Sequence, residues 1–365
     1  MKIAFYSPLK SPDHPVPSGD RLMARQLIAC LKLCGHSVEV VSDLRAFIAD
    51  HGDRDGRDAL LKNAGAEAAR LREQWRQRGV PDLWFCYHPY YKSPDLLGPD
   101  LCAEFRLPHV TVEASYSHRR NIGVWSDLQA RVLDCIRLAA VNISLTERDR
   151  AGLVAAAPEA VVASLKPFID ADAFLGTSPR PDPLRLVTVA MMRSGDKLAS
   201  YKALAQALDR IRDQPWRLSV VGDGPMRDDV RALFSGLPEG RIEWLGQQEP
   251  VEIARILAGS ALYVWPGCGE AYGLAYLEAQ AAGVPVVAWA TAGVPEVVDN
   301  GATGILTEPG DIDAYAAAIA SLLGNEEERR RMAGNARARV VRDHSLDAAS
   351  KALDAILQHY LGGQS

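Results

Sequence analysis

The sequence lacks long apolar runs, paired-cysteine motifs and a surplus of basic charge. No hydrophobic segment reaches the ~18 residues that a membrane span needs, so no transmembrane helix is expected. The six cysteines include no Cys-x-x-Cys pair, and the chain opens on the strand-like Met1-Lys2-Ile3-Ala4-Phe5. These features predict a reduced, cytoplasmic protein without a metal site. The formal charge of −5 argues against nucleic-acid binding, because neutralising phosphates needs excess lysine and arginine.

What the chain does contain is enough apolar sequence for two cores. It has 365 residues, 48% of them hydrophobic, which exceeds the usual size of one domain. Around residues 168–183 the pattern breaks into Asp, Gly, Ser and four prolines counting from Pro167, which is linker composition. We therefore predict an N-terminal domain over residues 1–168, a C-terminal domain over 169–344, and a final helix over 345–365 that packs back on the N-terminal domain.

Both predicted domains alternate strands with helices. Strand, loop, helix, glycine and strand follow one another from Lys2 to Ser42, with helix Gly19–Leu33 ending at Gly35. This order is typical of doubly wound α/β domains, in which right-handed crossovers build a parallel sheet. The C-terminal domain repeats the pattern, with strands predicted at 184–190, 217–221, 242–245, 261–265 and 284–288. Two such domains predict a site in the cleft between the carboxyl ends of their sheets.

The segment from Ala261 to Gly310 is the most informative. A predicted strand runs through Pro266-Gly-Cys-Gly-Glu270 into a helix predicted to begin near Tyr272. The N–H groups of Tyr272, Gly273 and Leu274 would then face a phosphate, which the helix dipole favours. Gly273 would let the ligand approach closely. The helix is predicted to end at Gly283.

Two carboxylates frame this turn, Glu270 and Glu278, about 12 Å apart along a helix axis. That span suits a nucleotide sugar. We expect an ionised Glu278 to accept hydrogen bonds from a ribose diol, and Glu270 to bind the donor sugar. The simpler alternative is that Glu270 caps a helix and Glu278 faces solvent.

These residues lie in Gly269-Glu-Ala-Tyr-Gly-Leu-Ala-Tyr-Leu-Glu-Ala-Gln-Ala-Ala-Gly-Val-Pro-Val-Val287, which resembles the Glu-x7-Glu signature of the family-four retaining glycosyltransferases. The segments 292–306 and 220–225 resemble further parts of that family. In the first half the resemblance is weaker, confined to the Pro17-Ser-Gly19 turn with its helix, residues 35–41 and Tyr87 to Val112.

The resemblance implies a GT-B fold and metal-independent, retaining transfer of a sugar from a nucleoside diphosphate sugar of unknown base to a hydroxyl acceptor. No cofactor is expected. In the family an arginine and a lysine stabilise the leaving diphosphate, and Arg193 and Lys197 are the nearest match, with Lys202 as a second candidate. Gly19 corresponds to the glycine whose N–H approaches the diphosphate. Gln247 and Gln248 follow a strand end where family members contact the base.

The sequence departs from the family at the end of the strand His109–Glu113. Glu113 occupies the column where a histidine is common, and His118 lies five residues further. Glu113 could take over sugar binding, His118 could supply the imidazole, or the site could be altered. We expect front-side displacement in which the leaving phosphate helps to deprotonate the acceptor, with Glu113 as nucleophile left open.

The acceptor is expected to meet the N-terminal domain, whose candidate wall residues are Trp125, Tyr90, Tyr91, Arg119 and Arg120, although core aromatics and surface arginines would give the same pattern. The neutral charge of that half argues against strong membrane docking and leaves weak peripheral contact open. The oligomeric state is not indicated.

Three functions other than sugar transfer are compatible with an α/β chain of this kind. A dinucleotide-binding loop is disfavoured because Arg227 replaces the third glycine of Gly-x-Gly-x-x-Gly. A nucleotide-sugar epimerase and a degenerate, non-catalytic transferase that binds nucleotide sugar remain as alternatives.

Overall fold

The structure is a computed structural model that describes residues 1–16 and 18–362. Pro17, part of the turn named above, lies outside the described residues. The chain divides into two compact units, which are described separately. Unit 1 comprises Met1–Lys166 and Leu346–Ser365, and unit 2 comprises Pro167–Ser345.

Unit 1 is built on a parallel sheet of six strands. Its strands are β1 (Lys2–Tyr6), β2 (Ser37–Ser42), β3 (Leu83–Tyr87), β4 (His109–Val112), β5 (Val141–Ser144) and β6 (Val162–Ser164). Its first helices are α1 (Gly19–Leu33), α2 (Arg54–Arg78), α3 (Gly98–Phe105), α4 (Val124–Leu138) and α5 (Glu147–Ala156), with a 3-10 turn at His118–Arg120.

The sheet of unit 1 has the strand order β2-β1-β3-β4-β5-β6, with all pairs parallel. Every residue of β3 is buried, as expected for a strand covered by helices on both faces. The chain winds outward in opposite directions from β1 and β3, so the switch point of the sheet lies between these two strands. Ligands of such sheets bind beyond the carboxyl ends of the strands at the switch point.

Unit 2 contains a second six-stranded sheet. Its strands are β7 (Asp182–Val189), β8 (Arg217–Val221), β9 (Ile242–Gly246), β10 (Ser260–Val264), β11 (Val286–Trp289) and β12 (Gly304–Thr307). Its helices are α6 (Asp172–Leu175), α7 (Asp196–Arg210), α8 (Arg227–Leu233), α9 (Pro250–Ala258), α10 (Leu274–Ala281), α11 (Val294–Val297), α12 (Ile312–Gly324) and α13 (Glu326–Arg339), followed by a π-helical turn at Val340–His344.

The sheet of unit 2 has the order β12-β11-β10-β7-β8-β9. Read from the β9 edge and numbered within the unit, this is 3-2-1-4-5-6, the order of dinucleotide-binding Rossmann domains. Its switch point lies between β7 and β10, which pair directly. The two sheets confirm the predicted α/β architecture of two doubly wound, Rossmann-like domains.

The last helix, α14 (Leu346–Leu361), belongs to unit 1 and packs on α1. Two cysteines of α1 contact its backbone: Cys30 Sγ lies 3.7 Å from Leu346 O, and Cys34 Sγ lies 3.2 Å from Ser350 O. These thiols therefore serve helix packing. Within the described part of the chain, no helix has the length and hydrophobicity to cross a membrane.

Candidate functional site

The switch point of unit 2 brings together Lys197, Glu270 and Trp265. Lys197 lies in the first turn of α7, after β7, and Glu270 lies in the loop that follows β10. The Lys197 ammonium donates a hydrogen bond to Glu270 Oε1, and the Trp265 indole N–H donates to the same oxygen at 3.1 Å. The ammonium also lies 5.5 Å from the centroid of the Trp265 ring. Two predicted site residues from distant parts of the sequence thus form one ion pair.

The loop that carries Glu270 is fixed by glycine conformations and by hydrogen bonds to its neighbours. Gly267 and Gly269 adopt φ angles of 80° and 63°, which L-residues rarely adopt. The Cys268 N–H donates to Ser200 Oγ at 2.8 Å, which ties the loop to α7. The Glu270 side chain is 16% exposed. A carboxylate held this firmly is preorganised to accept hydrogen bonds from a ligand's hydroxyl groups.

The helix after this loop begins at Leu274, two residues later than predicted. Gly273 is its N-cap with φ of 76°, and a Cβ placed there would lie 2.6 Å from the Tyr276 ring. The helix starts later because the left-handed glycine turns the chain first, and phosphate binding by the N–H groups of Tyr272, Gly273 and Leu274 stays a prediction. The positive end of the helix dipole lies at Leu274, and the Tyr272 side chain is buried.

Glu278 lies one turn into α10 and is partly buried. Its carboxylate has no hydrogen-bond or ion-pair partner among the residues that the structure describes. Burial raises the pKa of Glu278 to about 7. Burial thus opposes the expected ionisation of this carboxyl, which lies in the second half of an eight-residue helix and beyond the first turn where the dipole acts. Its role toward a ribose stays a prediction.

The other predicted donor-side residues lie around this point. Arg193 is exposed in the loop after β7, and its guanidinium has no partner within the described range of residues. Lys202 is also exposed, and it lines a cavity of about 540 Å³ with Asp229 and Leu233. Lys202 lies five residues after Lys197 in the same helix, so their side chains point in different directions. The two candidate lysines therefore have different surroundings. The Gln248 side-chain amide donates to Leu245 O at 2.6 Å, at the end of β9.

Unit 1 has a second polar cluster at its own switch point. Asp20, in the first turn of α1, lies at the end of the β1 loop, and His88 follows β3 directly. Asp20 Oδ1 lies 3.0 Å from His88 Nδ1. Gly19 is the first residue of α1, and a Cβ there would meet no atom within 4 Å. Glu113 follows β4, next to His88.

His88 and Glu113 have unusual backbone conformations. Their φ angles are 61° and 54°, in the left-handed region that costs a non-glycine residue of order 1–3 kcal/mol. Each residue directly follows a strand, and the two strands are adjacent because β3 pairs with β4. Neighbouring strand ends that hold such conformations commonly lie at functional sites. We refer to Asp20, His88 and Glu113 as the strand-end cluster.

The charges of the strand-end cluster are coupled. Burial would lower the pKa of His88, but the hydrogen bond to Asp20 and the charge of Glu113 outweigh it, so the pKa of His88 is raised. Burial would raise the pKa of Asp20, but the hydrogen bond and charge of His88 hold it below its ordinary value. Burial raises the pKa of Glu113 despite the charge of His88 and a hydrogen bond with Tyr87. The two carboxyl groups therefore favour the protonated form of His88, and His88 in turn favours the ionised form of Asp20.

His88 is a site candidate that the sequence analysis missed. The sequence indicated His118 as one candidate for the histidine near the donor sugar. His118 is exposed in the 3-10 turn and packs edge-on against Tyr116 at 5.0 Å. The available signal was position: His88 follows a fully buried strand, as Glu113 follows the next one.

Trp125, a predicted acceptor-wall residue, is instead 6% exposed and donates its indole N–H to Ile48 O at 3.0 Å.

A buried cluster of Asp95, His109 and Cys135 has the side chains of a metal site but not its geometry. Asp95 accepts hydrogen bonds from the Gly98 and Leu97 N–H groups at 2.7 and 3.0 Å and lies 3.2 Å from His109 Nε2. Cys135 Sγ is 3.9 Å from both ring nitrogens of His109, so it lies along the lone pair of neither. Zinc needs both ligand types at about 2.0–2.3 Å. The cluster is best explained as a cap for α3.

Comparisons with known proteins place this architecture among the glycosyltransferases. Residues 183–325 match the family model described as Glycosyl transferases group 1. N-acetyl-alpha-D-glucosaminyl L-malate synthase of Bacillus anthracis is 39% identical over 122 residues, which are 33% of this chain and 32% of that protein. D-inositol 3-phosphate glycosyltransferase of Corynebacterium glutamicum is 35% identical over 140 residues, 37% of this chain and 34% of that protein. The matched region thus spans about a third of these relatives.

Solved structures match over the full chain. Sucrose-phosphate synthase from Thermosynechococcus elongatus has a TM-score of 0.74 at 17% identity, with 100% of both chains covered. HepE of Anabaena, solved in complex with UDP, has a TM-score of 0.73 at 17% identity and covers 98% of this chain and 100% of its own. At such identities the likeness shows the fold. The chain therefore has the GT-B fold, and its residues 183–325, which contain Lys197, Glu270 and Glu278, match the glycosyl transferases group 1 family.

Proposed function

We propose that this protein transfers a sugar from a nucleoside diphosphate sugar to a hydroxyl acceptor, with retention of anomeric configuration and without a metal ion. The observation that carries the proposal is the pair Lys197–Glu270 at the switch point of unit 2, fixed by Trp265. The group 1 family match over the same unit and the UDP complex of HepE support a nucleotide sugar as ligand.

Each donor group has a candidate partner in unit 2. Glu278 is an unpartnered carboxylate that suits the ribose hydroxyls, and Gln248 offers an amide for the base. Glu270 accepts hydrogen bonds from the donor sugar. Lys197 and Arg193 stabilise the leaving diphosphate as its negative charge develops, a role that a metal ion fills in other transferases. Gly19, the first residue of α1, offers a backbone N–H to a phosphate group.

The chemistry is a front-side displacement. The bond from the anomeric carbon to the phosphate oxygen breaks, and the acceptor oxygen forms a bond to that carbon on the same face. The acceptor proton passes to the departing phosphate oxygen. No side-chain nucleophile takes part. In unit 1, the strand-end cluster binds acceptor hydroxyls, and His88 fills the role for which His118 was considered.

The test begins with donor binding in the presence of EDTA. Thermal unfolding is measured with UDP, GDP, ADP and their common sugars, because a ligand of the folded state raises the apparent stability. We expect one base to stabilise the wild type and Glu239→Gln, an exposed control, but not Glu278→Ala. Absence of binding across the panel by a folded protein would refute the proposal.

Product analysis then separates the enzyme classes. Incubation of the donor with acceptors should give a glycoside whose anomeric proton coupling in NMR spectra matches that of the donor sugar. An inverted anomer would refute retention. An isomerised nucleotide sugar without acceptor would indicate an epimerase, and donor binding without any product would indicate a non-catalytic protein.

A further inference from the structure

The loop after β3, residues 88–93, is held rigidly against unit 1. Tyr90 and Ser93 exchange two backbone hydrogen bonds of 3.1 and 2.8 Å. The Ile48 N–H donates to Lys92 O at 2.9 Å, and the Ser115 N–H donates to Pro89 O at 3.1 Å. Because its backbone is fixed on both sides, the loop presents its side chains in a preorganised arrangement.

The side chains of this loop form a row of rings that begins at the strand-end cluster. The His88 and Tyr90 rings stack with centroids 5.1 Å apart and planes 25° apart. Tyr91 follows at 5.3 Å from Tyr90 and packs on Trp125 at 4.9 Å. Tyr90 and Tyr91 are both partly exposed. Partly exposed tyrosine faces are suited to sugar and polyol rings.

Two cations without carboxylate partners surround the far end of the row. The Arg120 guanidinium lies 5.3 Å from the Tyr91 centroid, and the Lys92 ammonium lies 5.8 Å from the same centroid and 4.8 Å from that of Trp125. Neither forms an ion pair with any residue in the described ranges. Arg137, by contrast, forms an ion pair with Glu159 at 2.7 Å.

We propose that Lys92 and Arg120 bind an anionic group of the acceptor, so that the acceptor is a sugar or polyol that carries a phosphate or carboxylate. Two cations beside one ring form charge-assisted hydrogen bonds with such a group. The carboxylates of the strand-end cluster repel the anion and accept hydrogen bonds from hydroxyls. The acceptor is therefore oriented with its hydroxyl at His88 and its anion at Tyr91. This inference rests on the proposed function.

The experiment compares matched acceptors with the donor that the nucleotide screen identifies. Glucose 6-phosphate and glucuronate are each compared with glucose, and inositol 1-phosphate with inositol. We expect a kcat/KM at least about tenfold higher for the anionic member, as a charge-assisted hydrogen bond gives. The double variant Lys92→Met/Arg120→Gln should lose this preference and keep the donor KM. The control Lys62→Met/Arg78→Gln changes two exposed cations of α2 and should keep it.

Binding of inorganic phosphate gives a readout without turnover. In NMR spectra of the labelled side chains, phosphate should shift the Lys92 and Arg120 signals saturably in the millimolar range, and chloride should not. Absence of a saturable shift would overturn the inference. So would binding of phosphatidylglycerol vesicles that the double variant loses while phosphate shifts neither signal, since that result would indicate a lipid surface.

Failure of this inference is distinguishable from failure of the proposed function. If no nucleotide binds unit 2, the proposed function fails. If the donor binds and neutral and anionic acceptors react equally, only the anionic-acceptor inference fails. If no acceptor in the panel reacts, the phosphate titration decides.

Discussion

If Glu278 binds the donor ribose, its raised pKa makes donor binding depend on pH. In the free protein the pKa of Glu278 is about 7, because burial disfavours the charged form. The ribose hydroxyls donate hydrogen bonds, which the ionised carboxylate accepts better than the protonated carboxyl does. The complex therefore favours the carboxylate, and donor binding lowers the pKa of Glu278. Donor binding should therefore release a proton from this side chain.

The magnitude follows from the pKa of Glu278 in the free protein and its lower pKa in the complex. At pH 7 about half of the free protein carries the protonated carboxyl, so binding with full ionisation releases about half a proton per site. The ionised fraction rises about tenfold between pH 6 and pH 8, and the donor affinity should rise about tenfold with it.

The assay is isothermal titration calorimetry in two buffers of different ionisation enthalpy at pH 7, followed by titrations at pH 6 and pH 8. The ligand must be the nucleotide sugar, because a free nucleoside diphosphate carries a terminal phosphate with a pKa of about 6 that would release protons itself. Glu278→Gln should bind more weakly with no pH dependence, and Glu239→Gln should resemble the wild type. Equal proton release from the wild type and Glu278→Gln would refute the assignment.

The remaining predictions concern stability and the two ion pairs. Below its ordinary pKa the Glu278 carboxyl is protonated in both the folded and the unfolded protein, so its burial lowers the stability only as the pH rises toward 7. Glu278→Gln should therefore stabilise the unliganded protein at pH 8 by up to about 3 kcal/mol and at pH 4.5 by little. Urea unfolding measures both differences. Lys197→Met should lower the transfer rate by about 100-fold or more, and Lys202→Met should leave it unchanged; the reverse would exchange the two lysines. Asp20→Asn should lower the pKa of His88 in NMR titrations. The stability from His88 is present below its unfolded pKa and lost as the pH rises through its folded one, so Asp20→Asn should destabilise by about 1 kcal/mol at pH 6 and by less at pH 9.

The elements with local signals could be predicted from the sequence. Helix α1 has its predicted bounds because Ser18 caps it, accepting a hydrogen bond from the Arg21 N–H at 3.3 Å, and Gly35 follows its end. The end of α10 was also predicted, since Gly283 adopts a φ of 79°. Helix α2 also begins at a local signal, because Asp53 caps it and accepts a hydrogen bond from the Gly56 N–H at 2.8 Å.

The features that depend on long-range contacts were harder to predict. The start of α10 was misplaced because the sequence shows a glycine at 273 but not its left-handed conformation. Strand β12 was not predicted because it begins at Gly304, a residue with low strand preference, and the close approach that requires glycine is visible only in three dimensions: a Cβ there would lie 2.2 Å from Val286 O of β11. The partnership of His88 with Asp20 joins residues 68 positions apart, and no local pattern indicates it.

The switch-point rule accounts for both polar sites. In a doubly wound sheet the two loops at the switch point diverge to opposite faces, which leaves the strand ends uncovered there. In unit 2 the loops after β7 and β10 supply Lys197 and Glu270, and in unit 1 those after β1 and β3 supply Asp20 and His88. Each pair joins a nitrogen-bearing side chain to a carboxylate across the gap, so each unit holds its site without a ligand. Because these side chains lie beyond the sheet, substituting them should change binding and catalysis more than folding, whereas substitutions within β3 or β10 should do the opposite.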